Sequence, residues 1–124
     1  MAEHKKFSLR ARIRSFQFAW RGVGKVFRQH NFLIQFIVAL VTILAGFIFS
    51  ISPAEWIVIL TVIALVLSLE ALNTAIEYLV DFITKKQDPA AGMIKDIAAG
   101  AVLIASFFSV IIGLIIFLPK IIEL

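Results

Sequence analysis

The chain has 124 residues, no cysteine and a formal net charge of +4, which excludes a disulfide framework, a thiolate metal site and a thiol nucleophile. Hydrophobic residues make up 61% of it and charged residues only 16%, whereas a soluble domain carries roughly 25% charged residues. With a mean hydropathy of +1.01, most apolar side chains are expected to face lipid, in one domain that comprises residues 1–124.

The first 28 residues carry eight of the twelve lysines and arginines. Their apolar side chains fall within about 40° of one line at 100° per residue, beside a basic stripe. The apolar line comprises Leu9, Ile13, Phe16, Trp20, Val23 and Phe27, and the basic stripe comprises Arg10, Arg14, Arg21, Lys25 and Arg28. This pattern predicts an amphipathic surface helix over about residues 7–28. An alternative is that each cation only anchors the helix to anionic lipid. The segment has no small-residue cleavage site, so no cleavable signal peptide is expected.

Three apolar segments predict transmembrane helices over about residues 31–51, 55–81 and 94–119. Such segments are long enough to cross a hydrocarbon layer of about 30 Å, although the second spans it only if its helix continues to about Val80. The predicted fold is an all-α membrane protein with three transmembrane helices and an N-terminal surface helix. Eleven of the twelve basic residues lie in the N-terminal segment or the polar loop FITKKQDPAAGMIKD. The positive-inside rule therefore predicts that both are cytoplasmic.

Four polar residues occupy the end of the second span: Glu70, Asn73, Glu77 and Asp81. Their offsets place them within roughly 60° of one another on a helix. Ionisable groups at such depth are rare unless they pair or line a wet cavity. The stripe suits Mg²⁺, which prefers oxygen ligands, and a carboxylate that acts as general base. The alternative is a solvated helix end, or carboxylates paired with the arginines of the surface helix, and it applies best to Asp81.

A cation and an anion, Lys95 and Asp96, stand at the start of the third span. Lys95 could neutralise phosphate charge, although such a pair at a helix end often serves only as an anchor. No standard phosphate-binding motif or protein-kinase signature occurs. The two histidines, His4 and His30, are isolated, which excludes a histidine metal cluster.

The motifs EALNTAIE at 70–77, VD at 80–81, IKDIAAGAV at 94–102 and IIGLIIFLPK near the end resemble the prokaryotic diacylglycerol kinase family, which includes undecaprenol kinases. The resemblance runs from about Phe16 to Lys120. It implies a small integral-membrane lipid kinase that transfers the γ-phosphoryl group of Mg-ATP to a lipid hydroxyl. It also implies a homotrimer with shared active sites in the bacterial inner membrane, with the N-terminus and the active site on the cytoplasmic side.

The resemblance also implies roles for individual residues. Glu70 is the expected general base, and Asn73 positions the acceptor or the base. Glu77 is the expected metal ligand and nucleotide contact. The expected nucleotide contacts besides Glu77 are Lys95, Asp96 and, by a less close match, Arg14. Residues 86–88 occupy the loop where the family contacts ATP, but their composition matches it poorly.

One position departs from the family pattern. The family commonly has a glutamate before the first span as second metal ligand, whereas this chain reads FRQHNF. Alignment on Asn31 puts Gln29 at that position, and counting from Arg21 without a gap puts His30 there. We favour Gln29. A neutral amide oxygen holds Mg²⁺ more weakly than a carboxylate does.

The expected function is phosphorylation of a membrane lipid hydroxyl, with diacylglycerol as the favoured acceptor and undecaprenol as the alternative. The expected partners are the lipid, ATP and further copies of the chain, and no nucleic acid. An alternative of a different class is a small proton-coupled cation exporter, in which Glu70 would exchange protons for substrate. A purely structural membrane protein would leave the polar residues around Glu70 without a reason.

Overall fold

The structure is a computed structural model that describes residues 6–124. Four helices follow one another along these residues, with no β-strand among them: α1 Leu9–Val26, α2 His30–Ile48, α3 Pro53–Ile83 and α4 Pro89–Ile122. By length and composition, α2, α3 and α4 can each cross a membrane. The prediction of an all-α fold with three helices long and apolar enough to span a membrane is confirmed for the described residues.

Helix α1 begins where the side chain of Ser8 accepts a hydrogen bond from the backbone N–H of Ala11, at 3.3 Å. None of its residues is buried within the described chain, and it packs against α3. Arg12 and Arg21 lie over the rings of Phe7 and Phe18, which leaves both guanidinium groups at the surface. The location of α1 in the membrane interface stays a prediction.

Helix α3 begins with a capping box. The Ser52 side chain accepts from the backbone N–H of Glu55, and the Glu55 carboxylate accepts from the backbone N–H of Ser52. These bonds satisfy two N–H groups that a helix start otherwise leaves without partners. The chain enters this cap through Ser50, which adopts a positive φ of 50°. We call this side of the bundle the capped end.

At its other terminus α3 continues to Ile83, beyond the Val80 that a full span requires. The connection to α4 is shorter than the polar loop predicted from the sequence, since α4 already begins at Pro89. Proline is tolerated in the first turn because its missing N–H has no partner there. The Asp88 side chain caps the helix by accepting from the N–H of Ala90 at 2.7 Å. The side of the bundle with residues 84–88 and the α1–α2 junction is named the loop end.

Helices α3 and α4 run antiparallel and pack along their length, and α2 packs against α3. An ion pair joins α3 to α4 at each end, Asp81 with Lys95 and Glu55 with Lys120. A small apolar cluster at the capped end comprises Ile51, Ile59 and Ile116. Most large apolar side chains of the described residues remain exposed, as expected of helices that face lipid or further protein.

Candidate active site

The buried polar side chains of the described residues form one turn of α3. Glu70 and Asn73 are only 6% and 7% exposed, and Thr74 is equally buried. The Thr74 hydroxyl donates to the Glu70 carbonyl at 3.1 Å, so its polar group is satisfied inside the helix. The same does not hold for the carboxylate of Glu70, which forms no hydrogen bond or ion pair within residues 6–124. A carboxylate without a partner on a largely buried residue between apolar helices is costly and is typical of a functional site.

Glu70 and Asn73 line an open groove between α2, α3 and α4, here named the polar groove. Its volume is about 300 Å³ and its remaining walls come from α2 and α4. The lining residues are Asn31, Ile34, Gln35, Glu70, Asn73, Ala99, Val102, Leu103 and Ser106. The amide of Gln35 donates to the Ser106 hydroxyl at 3.4 Å and links α2 to α4 across the groove. The groove therefore combines a carboxylate, amides and a hydroxyl with apolar walls.

Asn73 connects the polar groove to the next turn of α3. Its Nδ2 donates to Oε1 of Glu77 at 3.2 Å, which fixes the orientation of the amide. Its Oδ1 is buried and accepts no hydrogen bond from the described residues. A buried acceptor without a donor costs about 1–3 kcal/mol. Asn73 thus offers an oxygen that suits a hydroxyl group or a cation.

Gln29 lies at the α1–α2 junction and reaches across to α3. Its Nε2 donates to the Tyr78 hydroxyl at 2.7 Å, and Tyr78 follows Glu77 directly in the chain. His30, the alternative for this position, is exposed at the start of α2. The structure thus ties Gln29 to Tyr78 of α3 and forms no such side-chain link for His30 within the described residues.

Lys95 and Asp96 lie in the second turn of α4, outside the lining of the polar groove. Lys95 pairs with Asp81 of α3, and both residues border a hollow formed with residues 84–88. Asp96 is exposed. Arg14 is exposed on α1, and no contact joins its side chain to these groups among the described residues. The structure therefore assembles Glu70, Asn73 and Glu77 closely, and it does not bring Asp96 or Arg14 to them.

Sequence reasoning missed Gln35, Ser106 and Tyr78. Gln35 and Ser106 carried a signal, because each is a polar residue inside an uncharged apolar span. Tyr78 carried none, since its hydrogen bond depends on where the α1–α2 junction lies against α3.

The chemistry of the oxygen donors limits the metal that could bind. Residues 6–124 hold no cluster of three or more His, Cys, Asp or Glu side chains that could hold a metal ion, so they form no complete protein cage. Glu77 supplies one carboxylate, and Gln29 supplies an amide oxygen that accepts no hydrogen bond from the described residues. This set fits a hard cation that takes its other ligands from phosphate and water, as Mg²⁺ usually does.

Comparison with known proteins agrees with the motifs. A sequence profile of the family described as prokaryotic diacylglycerol kinase matches residues 17–117. Undecaprenol kinase of Bacillus subtilis (strain 168) is 45% identical over 109 residues, covering 87% of this chain and 89% of that protein. Diacylglycerol kinase of Synechocystis sp. is 37% identical over 112 residues, covering 89% of this chain and 64% of that protein. The resemblance expected from the motifs is confirmed: the chain belongs to the prokaryotic diacylglycerol kinase family and is a lipid kinase.

Proposed function

We propose that this lipid kinase transfers the γ-phosphoryl group of ATP, with Mg²⁺, to the hydroxyl of a long-chain polyprenol such as undecaprenol. The observation that carries the reaction is the buried pair of Glu70 and Asn73 in a groove between membrane-spanning helices. The acceptor is inferred from the relative named undecaprenol kinase, which shares 45% identity over most of both chains. This choice replaces diacylglycerol, which the sequence analysis favoured. Diacylglycerol remains the second candidate because a relative of 37% identity bears that name.

In the proposed mechanism the lipid hydroxyl enters the polar groove from the bilayer. Asn73 Oδ1 first accepts a hydrogen bond from the arriving alcohol, and the hydroxyl then rotates so that its hydrogen points to the carboxylate of Glu70. The carboxylate of Glu70 then takes the hydroxyl proton while the alcohol oxygen bonds to the γ-phosphorus. The bond from that phosphorus to the bridging oxygen breaks, and ADP leaves with the electron pair. Phosphoryl transfer depends mainly on such positioning and on neutralisation of charge.

The nucleotide is assigned to the loop end of the bundle. Lys95 would exchange Asp81 for the phosphates, since its ammonium group already borders the hollow at residues 84–88. Glu77 and Gln29 would hold Mg²⁺, which supplies neutralisation of phosphate charge when bound. Asp96 and Arg14 are further nucleotide contacts in this proposal. Both are exposed, and their approach requires the nucleotide or a neighbouring subunit.

The proposed setting is the bacterial inner membrane, with the N-terminus, the loop end and the active site on the cytoplasmic side. The distribution of basic residues supports this orientation, and the exposed apolar residues of α1 support its place in the membrane interface. A homotrimer is proposed because the polar groove is open and three thin helices do not enclose it. The neighbouring subunit would supply the missing wall.

The test is transfer of radiolabel from [γ-³²P]ATP to undecaprenol and to diacylglycerol, assayed side by side with purified protein in mixed micelles. We expect undecaprenol to be the better acceptor. Glu70→Gln is expected to lower the rate by about 10²–10⁴-fold, the usual contribution of a general base. Glu55→Gln is the matched control, since it removes a carboxylate from the same helix at the capped end, and its rate should stay within about twofold.

Two results would contradict the proposal. Normal turnover by Glu70→Gln would remove Glu70 as the base, and faster labelling of diacylglycerol would reverse the choice of acceptor.

The cation-exporter alternative has lost its support, because the chain belongs to a family of kinases. It predicted pH-driven cation flux in vesicles without any need for ATP.

A further inference from the structure

The hydrogen bond between Gln29 and Tyr78 joins residues that are 49 positions apart in the chain, at 2.7 Å. Gln29 belongs to the junction of α1 and α2, and Tyr78 belongs to α3. The bond therefore fixes the junction against the helix that carries Glu70, Asn73 and Glu77. The role that we infer for this hydrogen bond rests on the proposed function.

The backbone of Gln29 is already fixed without Tyr78. Its N–H donates to the Val26 carbonyl at 2.9 Å, and its own carbonyl accepts from the N–H of Leu33 at 3.0 Å. Gln29 is the N-cap residue of α2, yet its side chain makes no capping hydrogen bond. The side chain of Gln29 therefore does not stabilise the helix start. Its only hydrogen bond within residues 6–124 is the one to Tyr78.

The direction of this hydrogen bond determines which atom of the Gln29 amide remains available to a ligand. The amide nitrogen of Gln29 donates and the phenol oxygen of Tyr78 accepts. An amide is planar, so fixing its nitrogen also fixes the direction of its oxygen, which keeps two lone pairs. Without this bond a glutamine side chain has several rotamers, and ordering them on binding would weaken any ligand contact. The phenol thus orients a neutral oxygen ahead of binding.

We propose that Tyr78 is a positioning residue, which orients Gln29 through this hydrogen bond so that the amide oxygen of Gln29 faces the divalent cation accompanying the nucleotide. Orientation by Tyr78 offsets part of the weakness of an amide ligand relative to a carboxylate. Tyr78 does not touch the reacting atoms. It acts only through Gln29.

The experiment measures cation affinity directly. Full-length protein in lipid nanodiscs is titrated with Mn²⁺ in the presence of a non-hydrolysable ATP analogue, and bound Mn²⁺ is followed by electron paramagnetic resonance. Tyr78→Phe removes only the hydroxyl and is expected to weaken Mn²⁺ binding about 3–10-fold, with kcat at saturating Mg²⁺ within about twofold. Phe82→Leu, at an exposed position one turn later on α3, is the control and should leave Mn²⁺ affinity unchanged.

A double-mutant cycle separates positioning from stability. Gln29→Ala should weaken Mn²⁺ binding at least as much as Tyr78→Phe does, and the double variant should be no weaker than Gln29→Ala alone. Gln29→Glu should tighten Mn²⁺ binding and reduce the effect of Tyr78→Phe, because a carboxylate binds the cation without help from its orientation.

Unchanged Mn²⁺ affinity in Tyr78→Phe, or additive losses in the double variant, would overturn the proposal. So would a lowered melting temperature with intact Mn²⁺ affinity, which would assign the bond to the stability of the junction. These failures differ from failure of the proposed function, in which the wild-type protein labels neither lipid.

Discussion

The two ends of the α3–α4 pair carry the same kind of ion pair in different surroundings. At the capped end, Lys120 and Glu55 are 27% and 28% exposed and lie 2.7 Å apart. Each has a second partner: Glu55 accepts from the Ser52 N–H, and Lys120 donates to the Ile116 carbonyl. At the loop end, the side chains of Lys95 and Asp81 are 38% and 61% exposed and form no other hydrogen bond within the described residues.

The difference shows which ion pair can exchange its partner. An exposed pair contributes only about 0–1 kcal/mol, so a phosphate group can replace Asp81 beside Lys95 at little cost. The ion pair at the capped end joins a helix start to a helix end beside an apolar cluster. Removal of Lys120 breaks two hydrogen bonds, one to Glu55 and one to the Ile116 carbonyl. We infer that the capped end holds the helices together and that the loop end is available to a ligand.

The largest expected effect is on activity, and it comes from comparing the variant Lys95→Met at the loop end with Lys120→Met at the capped end. Lys95→Met should lower the rate of phosphoryl transfer about 10²–10³-fold, the usual effect of removing one preorganised donor that stabilises charge in the transition state, about 2.7–4 kcal/mol. Its melting temperature should change little. Lys120→Met should lower the melting temperature and leave kcat within about twofold. Initial rates at varied ATP, together with thermal melts followed by circular dichroism, measure both quantities. Equal loss of activity in the two variants would contradict the assignment of separate roles.

The next effect concerns how tightly the capped end is packed. A Cβ atom on Gly46 would lie 2.6 Å from the Trp56 ring, and that ring is held against Phe47. Gly46→Ala is therefore expected to lower the free energy of unfolding by about 1–3 kcal/mol. Gly113→Ala is the matched control, because a Cβ there meets no atom within 4 Å, so it should not destabilise the protein. Reversible unfolding in sodium dodecyl sulfate provides the measurement. Equal stability of the two variants would show that the ring moves freely.

The sequence predicted most of the helices and the acidic part of the site, for identifiable reasons. Glu70 and Asn73 share a helix face, so periodicity alone placed them together. The start of α4 at Pro89 lies within the segment that the sequence analysis describes as a polar loop, because Asp88 caps a helix that begins with proline. Contacts between helices were the least predictable. The pairing of Lys95 with Asp81 and of Gln29 with Tyr78 depends on how the helices pack, which no period within a single helix encodes.

The smallest expected effect comes from Asp81→Asn, which removes the charge that faces Lys95 and keeps the size of the side chain. If phosphate must displace Asp81, the variant should bind Mg-ATP more tightly, with a KM about 2–5-fold lower, the equivalent of an exposed ion pair worth up to about 1 kcal/mol. The difference from wild type should shrink at high salt, because exposed charges are screened. Glu123→Gln, an exposed site at the capped end, controls for the change in net charge. A large loss of kcat in Asp81→Asn would instead mean that the carboxylate of Asp81 itself takes part in binding or catalysis. Phosphate would then not simply replace Asp81 as the partner of Lys95.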